Sequence, residues 1–194
     1  MNRLLAMIGG VLALGPAAQA ADLGPVGSPT APGPGQAQPA FLSEVRLGLS
    51  AHDPGGPESG TANLTGEILS VRPFTFANPD LDLLVPRLHL GGSLNFSGRT
   101  SFAYAGLTWT FDITPSIFIE GSLGGAVHNG ETDPIPAHHD ALGCTALFRE
   151  SGSLGVRVSE NWSVMATVEH LSNAGLCSNN RGLTNVGLRV GYTF

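Results

Sequence analysis

The chain has 194 residues, a formal net charge of −6, only 12% charged residues and 27 glycines, with a mean hydropathy just above zero. A negative chain offers no electrostatic footprint for nucleic acid, and its two cysteines lack the C-x-x-C spacing of a zinc site. Few charges and abundant glycine suit a barrel with an apolar outside and a polar inside.

Met1 to Ala20 reads as a cleaved export signal. Arg3 gives the positive start, Leu4 to Leu14 the apolar segment and Ala18-Gln-Ala20 the small-residue cleavage site. The apolar run is too short to cross a bilayer as a helix, and no other run of that kind follows. Residues 21–40 hold five prolines and four glycines and are expected to form an extended periplasmic linker without a core.

From residue 42 onward the hydrophobic period is two. Eight strands are predicted, at about 42–51, 61–72, 84–97, 99–112, 116–128, 143–159, 162–172 and 183–194. In the third, Leu88, Leu90, Leu94 and Phe96 oppose Arg87, His89, Ser93 and Asn95; in the fourth, Ala103, Ala105, Leu107, Trp109 and Phe111 share a face. The sixth strand breaks the pattern, because Glu150 falls in the apolar row between Phe148 and Leu154. A bulge near Ser151-Gly152 would remove the conflict.

Connection lengths alternate. Asp112–Ser116 and Ser159–Ser163 are tight, whereas 52–60, 129–142 and 173–182 are long and rich in Gly, Pro, Asn and Asp. Short periplasmic turns and long outer loops are the pattern of bacterial barrels, with the long stretch at 73–83 as the exception. The prediction for 41–194 is therefore an all-β, eight-stranded antiparallel transmembrane β-barrel of the outer membrane. The last strand alternates Val186, Leu188, Val190 and Tyr192 and ends on Phe194, which resembles the signal read by the barrel-assembly machinery. A soluble lipocalin-like barrel would need the apolar rows turned inward. A pore is disfavoured because eight strands leave little lumen, and charges facing it must be paired, as Glu169 and Arg189 on neighbouring strands could be. Cys144 and Cys177 both fall at the outer end of an exported chain and are expected to form a disulfide.

On the seventh strand His170 and Ser172 continue the row Trp162, Val164, Ala166, Val168, so a general base and a nucleophile share one face. The run His170-Leu-Ser-Asn-Ala-Gly-Leu176, followed by Asn180, Gly182 and the closing strand, resembles the PagL family of outer-membrane lipid A 3-O-deacylases, also described as acyloxyacyl hydrolase-like. The likeness is close over the last two strands and loose over the whole plan. It implies an ester hydrolase acting on lipopolysaccharide among outer-membrane lipids, with no cofactor, in which Ser172 is the nucleophile and His170 the base. Asn173, the backbone near Gly175 and Asn180 would hold the oxyanion. The family's glutamate falls on Thr184 here, so Asn185 (given a bulge) and Asp140 are the other candidates to orient His170. The competing readings are a non-enzymatic structural or adhesion barrel and an inactive homologue lacking the acid. His138, His139 and Asp140 form a polar outer-loop group that could contact a metal or phosphate, although no metal is expected.

Overall fold

The computed structural model describes residues 41–133 and 139–194, so the expected export signal, the linker and His138 lie outside the described residues. The strands are β1 (Leu42–His52), β2 (Thr61–Ser70), β3 (Arg87–Asn95), β4 (Phe102–Asp112), β5 (Ile117–His128), β6 (Ala146–Arg157), β7 (Trp162–Ser172) and β8 (Leu183–Thr193). A short helix, α1 (Pro79–Asp82), sits between β2 and β3. Each strand runs antiparallel to its neighbours, and β1 closes on β8 from Glu44↔Thr193 to His52↔Asn185. Closure pairs every strand edge, as hydrocarbon surroundings demand.

The two rows of each strand separate as a lipid-embedded barrel requires. Leu47, Leu94 and Leu188 on the outer wall are each more than 60% exposed. Arg46, Glu67, Glu120, Arg149, Glu169 and Arg189 face inward and are buried. The apolar rows of a soluble carrier would point the other way, so that alternative is excluded.

Paired ions fill the lumen. Toward the periplasmic end Arg46 Nε lies 2.7 Å from Glu44 and its Nη1 2.5 Å from Glu120, while Arg87 Nη1 lies 2.6 Å from Glu44. Above them Glu169 takes Arg149 at 2.5 Å and Arg189 at 3.1 Å, and Arg189 also reaches Glu67 at 2.8 Å. The Arg149 guanidinium lies over the Tyr104 ring, 3.7 Å from its centroid. Charges desolvated this far persist only with such partners.

The β2–β3 connection, residues 71–86, is folded rather than loose. Asn78 caps α1 by accepting from the N–H of Asp80 at 2.9 Å and of Leu81 at 3.3 Å. The Asp82 carboxylate receives Arg72 at 2.5 Å and the Phe76 N–H at 2.9 Å. Trp109 Nε1 donates to the Leu84 carbonyl at 2.9 Å, so Leu84 and Val85 belong to the turn and β3 starts three residues later than expected, at Arg87.

The expected bulge in β6 is absent. Its pairing with β5 runs without a break through Leu123↔Glu150, Ser122↔Ser151, Gly121↔Gly152 and Glu120↔Ser153. Glu150 therefore stays on the outer wall.

At the outer end the loops close over the lumen. Leu142 packs with Phe102, Tyr104, Leu147, Leu171 and Leu183, and Cys144 lies against this cluster. Cys144 and Cys177 form a disulfide with their Cα atoms 5.8 Å apart and 33 residues of separation. His128 Nε2 donates to the Cys144 carbonyl at 2.6 Å and Nδ1 accepts from the Gly130 N–H at 3.1 Å, tying the same loop to β5. In the chain-entropy description a closed loop of this size contributes about 3 to 4 kcal/mol. Cys144→Ser is expected to lower stability in urea by that amount, and reductant should have no further effect on the variant; equal midpoints for the two oxidised proteins would refute this.

Candidate active site

His170 and Ser172 end the outward row of β7, and both are half-buried. His170 stands between two strands, directly opposite Thr184 of β8 and Glu150 of β6. Its Nδ1 shares a hydrogen bond of 2.9 Å with Thr184 Oγ1. This contact fixes the ring and leaves Nε2 for other work. Gly182, at φ 74°, makes room for the ring: a Cβ there would lie 2.8 Å from His170 Cε1 and 3.2 Å from Nε2. Ser172, two residues on, is opposite Phe148. No hydrogen bond joins Ser172 to His170 in this structure; such contacts commonly tighten only around substrate.

Beyond Ser172 the chain turns sharply. Ala174 has φ 52° and Gly175 φ 81°, and the Leu176 N–H returns to the Asn173 carbonyl at 3.0 Å. A non-glycine residue at positive φ is strained and is held there by its surroundings. The anchor is Asn173, which is buried. Its Oδ1 accepts from the Gly175 N–H at 2.9 Å, and its Nδ2 donates to the carbonyls of Leu142, at 2.8 Å, and Asn179. Its backbone N–H donates to Asn180 Oδ1 at 2.9 Å. Two of the three residues expected to hold an oxyanion, Asn173 and Gly175, thus have their donors committed to building the loop. In the same turn the Ala174 N–H and Asn180 Nδ2 donate to no protein acceptor among the described residues.

The two alternative partners for His170 point elsewhere. The β7–β8 pairing is continuous through Glu169↔Asn185 and His170↔Thr184, so the bulge that Asn185 needed does not exist. Asn185 faces the lumen, donates to Glu169 Oε1 at 3.3 Å and accepts from the Asp53 N–H at 3.3 Å. Asp140 is fully buried under the outer loops with Arg181 Nε at 2.9 Å.

Asp140 belongs to a polar cluster that holds the outer loops together. Glu58 receives His52 Nε2 at 2.7 Å, the Thr100 N–H at 2.8 Å and the Thr100 hydroxyl at 3.0 Å. Burial opposes ionisation of Glu58, but these donors outweigh it and hold its carboxyl down to about 2. Asp140 behaves oppositely: burial and the neighbouring Asp53 and Glu58 carboxylates push it up to about 7, against the pull of Arg181. His139 Nδ1 stands 3.6 Å from Glu58. Among the described residues no group of three or more His, Cys, Asp or Glu is arranged to hold a metal.

Asp140 binds its proton more tightly in the fold than in the unfolded chain. Its contribution to stability is complete below the ordinary carboxylate range and is lost as pH rises through about 7. Amide exchange at Asp53, Thr100 and Asp140 should therefore quicken between about pH 4 and 7 after correction for intrinsic rates, and Asp140→Asn should flatten that change. Equal pH dependence in the two proteins would refute the assignment.

Below His170 a groove of about 610 Å³ runs along the outer wall, lined by Val168, Glu150, Leu123, Phe111, Trp109 and Leu84 among others. Gly121 and Gly152 face each other in it, and a Cβ on either would meet nothing within 4 Å. The wall is thus notched to the depth of two missing side chains.

The family model for PagL, lipid A 3-O-deacylase, matches residues 86–193. The chain belongs to the PagL family. Its place is the outer membrane. No curated protein sequence matches it. Among solved structures it is similar to the outer membrane enzyme PagL, at 18% identity and a TM-score of 0.62, over 78% of this chain and all of that one. It is also similar to the N-terminal β-barrel domain of Pseudomonas aeruginosa OprF (15%, TM-score 0.53, 81% of this chain and 100% of that one) and to Neisserial surface protein A (10%, TM-score 0.52, 80% and 98%). At these identities the structural likenesses speak for the fold. The family match covers β3 to β8 and so includes both the His170–Gly175 run and Thr184.

Proposed function

We propose that this barrel is a lipid A deacylase that hydrolyses the 3-O ester-linked acyl chain of lipopolysaccharide in the outer leaflet. The observation that carries the reading is the cluster of Ser172, His170, Thr184 and Glu150 in an otherwise apolar outer wall. Polar and ionisable side chains facing hydrocarbon are costly and mark sites of function. A soluble substrate has no access to such a wall, whereas the esters of lipid A lie at the polar–apolar boundary of the leaflet.

In this reading Ser172 Oγ attacks the ester carbonyl while His170 Nε2 takes the hydroxyl proton. Negative charge collects on the carbonyl oxygen, and the Ala174 N–H and Asn180 Nδ2 are the donors free to meet it. Collapse breaks the bond to the sugar oxygen, which takes the proton from His170. Water, activated by His170, then releases the fatty acid and regenerates Ser172. The chemistry calls for no cofactor. The notch at Gly121 and Gly152 accepts the acyl chain along the wall.

Thr184 supports a second reading, a barrel that keeps the fold and has lost the reaction, because a hydroxyl cannot balance an imidazolium as the family's carboxylate does. Mass spectrometry of lipid A separates the two. Cells expressing the protein should accumulate lipid A lighter by one ester-linked hydroxyacyl chain, and cells expressing Ser172→Ala should not. Identical lipid A in the two strains overturns the deacylase reading.

A further inference from the structure

Glu150 is the only carboxylate in the outward rows of the eight strands, and His170 is the only imidazole there. The register places them directly opposite each other on β6 and β7. We infer that Glu150 supplies the negative charge that Thr184 lacks, acting through His170 as its positioning and charge-balancing partner. The inference rests on the deacylase reading for its catalytic consequence.

Three observations carry it. First, Glu150 stands among apolar neighbours. Leu123 of β5 lies opposite it on one side, and Phe148 and Leu154 continue its own outward row. A carboxylate among such neighbours is destabilising unless a cation answers it. Second, among the described residues the other cations are committed, Arg99 to His139. The chain has no lysine, and Arg46, Arg72, Arg87, Arg149, Arg157, Arg181 and Arg189 are each paired with another acid. Third, the β-sheet sets the two residues directly opposite each other, although no ion pair joins them in this structure; such contacts commonly tighten only around substrate. Residues directly opposite on antiparallel strands have Cβ atoms roughly 4.5–5.5 Å apart, within reach of a Glu and a His side chain.

The division of labour is then clear. Thr184 binds Nδ1 from the β8 side and sets the ring. Glu150 lies on the β6 side and favours the imidazolium that forms when Ser172 gives up its proton. From β8 the neutral Thr184 faces His170, and Gly182 in the following turn abuts the ring. A carboxylate so placed takes the part of a triad acid, which stabilises the imidazolium without itself taking the proton. No bond to Glu150 forms or breaks, and the proton stays on His170 until the leaving oxygen takes it.

The test uses the full barrel in detergent micelles, with the imidazole titration of His170 followed by NMR and its signal identified by loss in His170→Ala. Glu150→Gln should move that titration measurably to lower pH. Deacylation of purified lipid A should fall about 10²- to 10⁴-fold, and the acidic limb of kcat/KM should move to lower pH with it. Glu150→Leu, which suits a lipid-facing strand, should fold at least as well and be as slow. An unchanged His170 titration in Glu150→Gln overturns the inference whatever the rate does, as does full activity in Glu150→Leu. A shifted titration in a wild-type protein without deacylase activity upholds the pairing and instead removes the proposed function.

Discussion

Ser172→Ala is expected to lower the rate of lipid A deacylation by about 10⁶-fold, the loss typical of removing the nucleophile from a serine hydrolase. His170→Ala should lose a comparable amount, because the two act as one unit and their effects do not add. Neither change should disturb the barrel. Both side chains lie on the outer row at the end of β7, and neither belongs to the inner ion network or the cluster around Leu142. Substitutions at such positions alter stability by about 0.5 kcal/mol or less. Purified, refolded variants with wild-type unfolding midpoints and no released fatty acid are the predicted outcome. A Ser172→Ala barrel that still releases 3-hydroxy fatty acid would remove Ser172 from the reaction.

The barrel was legible in the sequence because lipid outside and ions inside impose a strict period of two. Rows such as Leu88, Leu90, Leu94 and Phe96 against Arg87, His89, Ser93 and Asn95 mark a strand and both its faces at once. The start of β3 is hidden from the sequence for a non-local reason. Leu84 and Val85 are apolar and extend the pattern, but the Leu84 carbonyl is held by Trp109 from the next strand, a contact 25 residues away. The candidate site was legible where spacing is local, in the His170–Gly175 run and in the parity that puts Thr184 beside His170. It was obscure where pairing decides. Glu150 looked like a fault to be corrected by a bulge, because an outward carboxylate contradicts the pattern of its own strand. Only the register shows that the fault faces His170. The same register turns Asn185 to the lumen. Asn173 had the right composition for an oxyanion donor, yet its amide is taken by the Leu142 carbonyl, 31 residues earlier, which no reading of neighbours reveals.

The largest effect on stability is expected from Glu169→Ala. Glu169 Oε2 receives Arg149 at 2.5 Å and Arg189 at 3.1 Å, and Oε1 receives Asn185 at 3.3 Å. Truncation leaves Arg149, whose side chain is wholly buried, with Ser122 and the Tyr104 ring as its remaining contacts. A buried charge stripped of its counter-ion costs about 3–5 kcal/mol. Arg189 keeps Glu67 and is affected less. Arg157→Ala provides the contrast. Its pair with Asp112 sits at the exposed periplasmic rim, with side chains 36% and 60% exposed, and such pairs contribute no more than about 1 kcal/mol. Urea unfolding from lipid vesicles should therefore separate the two variants by several kcal/mol. The double variant Glu169→Ala/Arg149→Met should recover much of the loss, because it removes the stranded charge and fills its space with an apolar chain. If Glu169→Ala unfolds at the wild-type midpoint, water rather than Glu169 solvates Arg149, and the lumen is wetter than its packed ion pairs indicate.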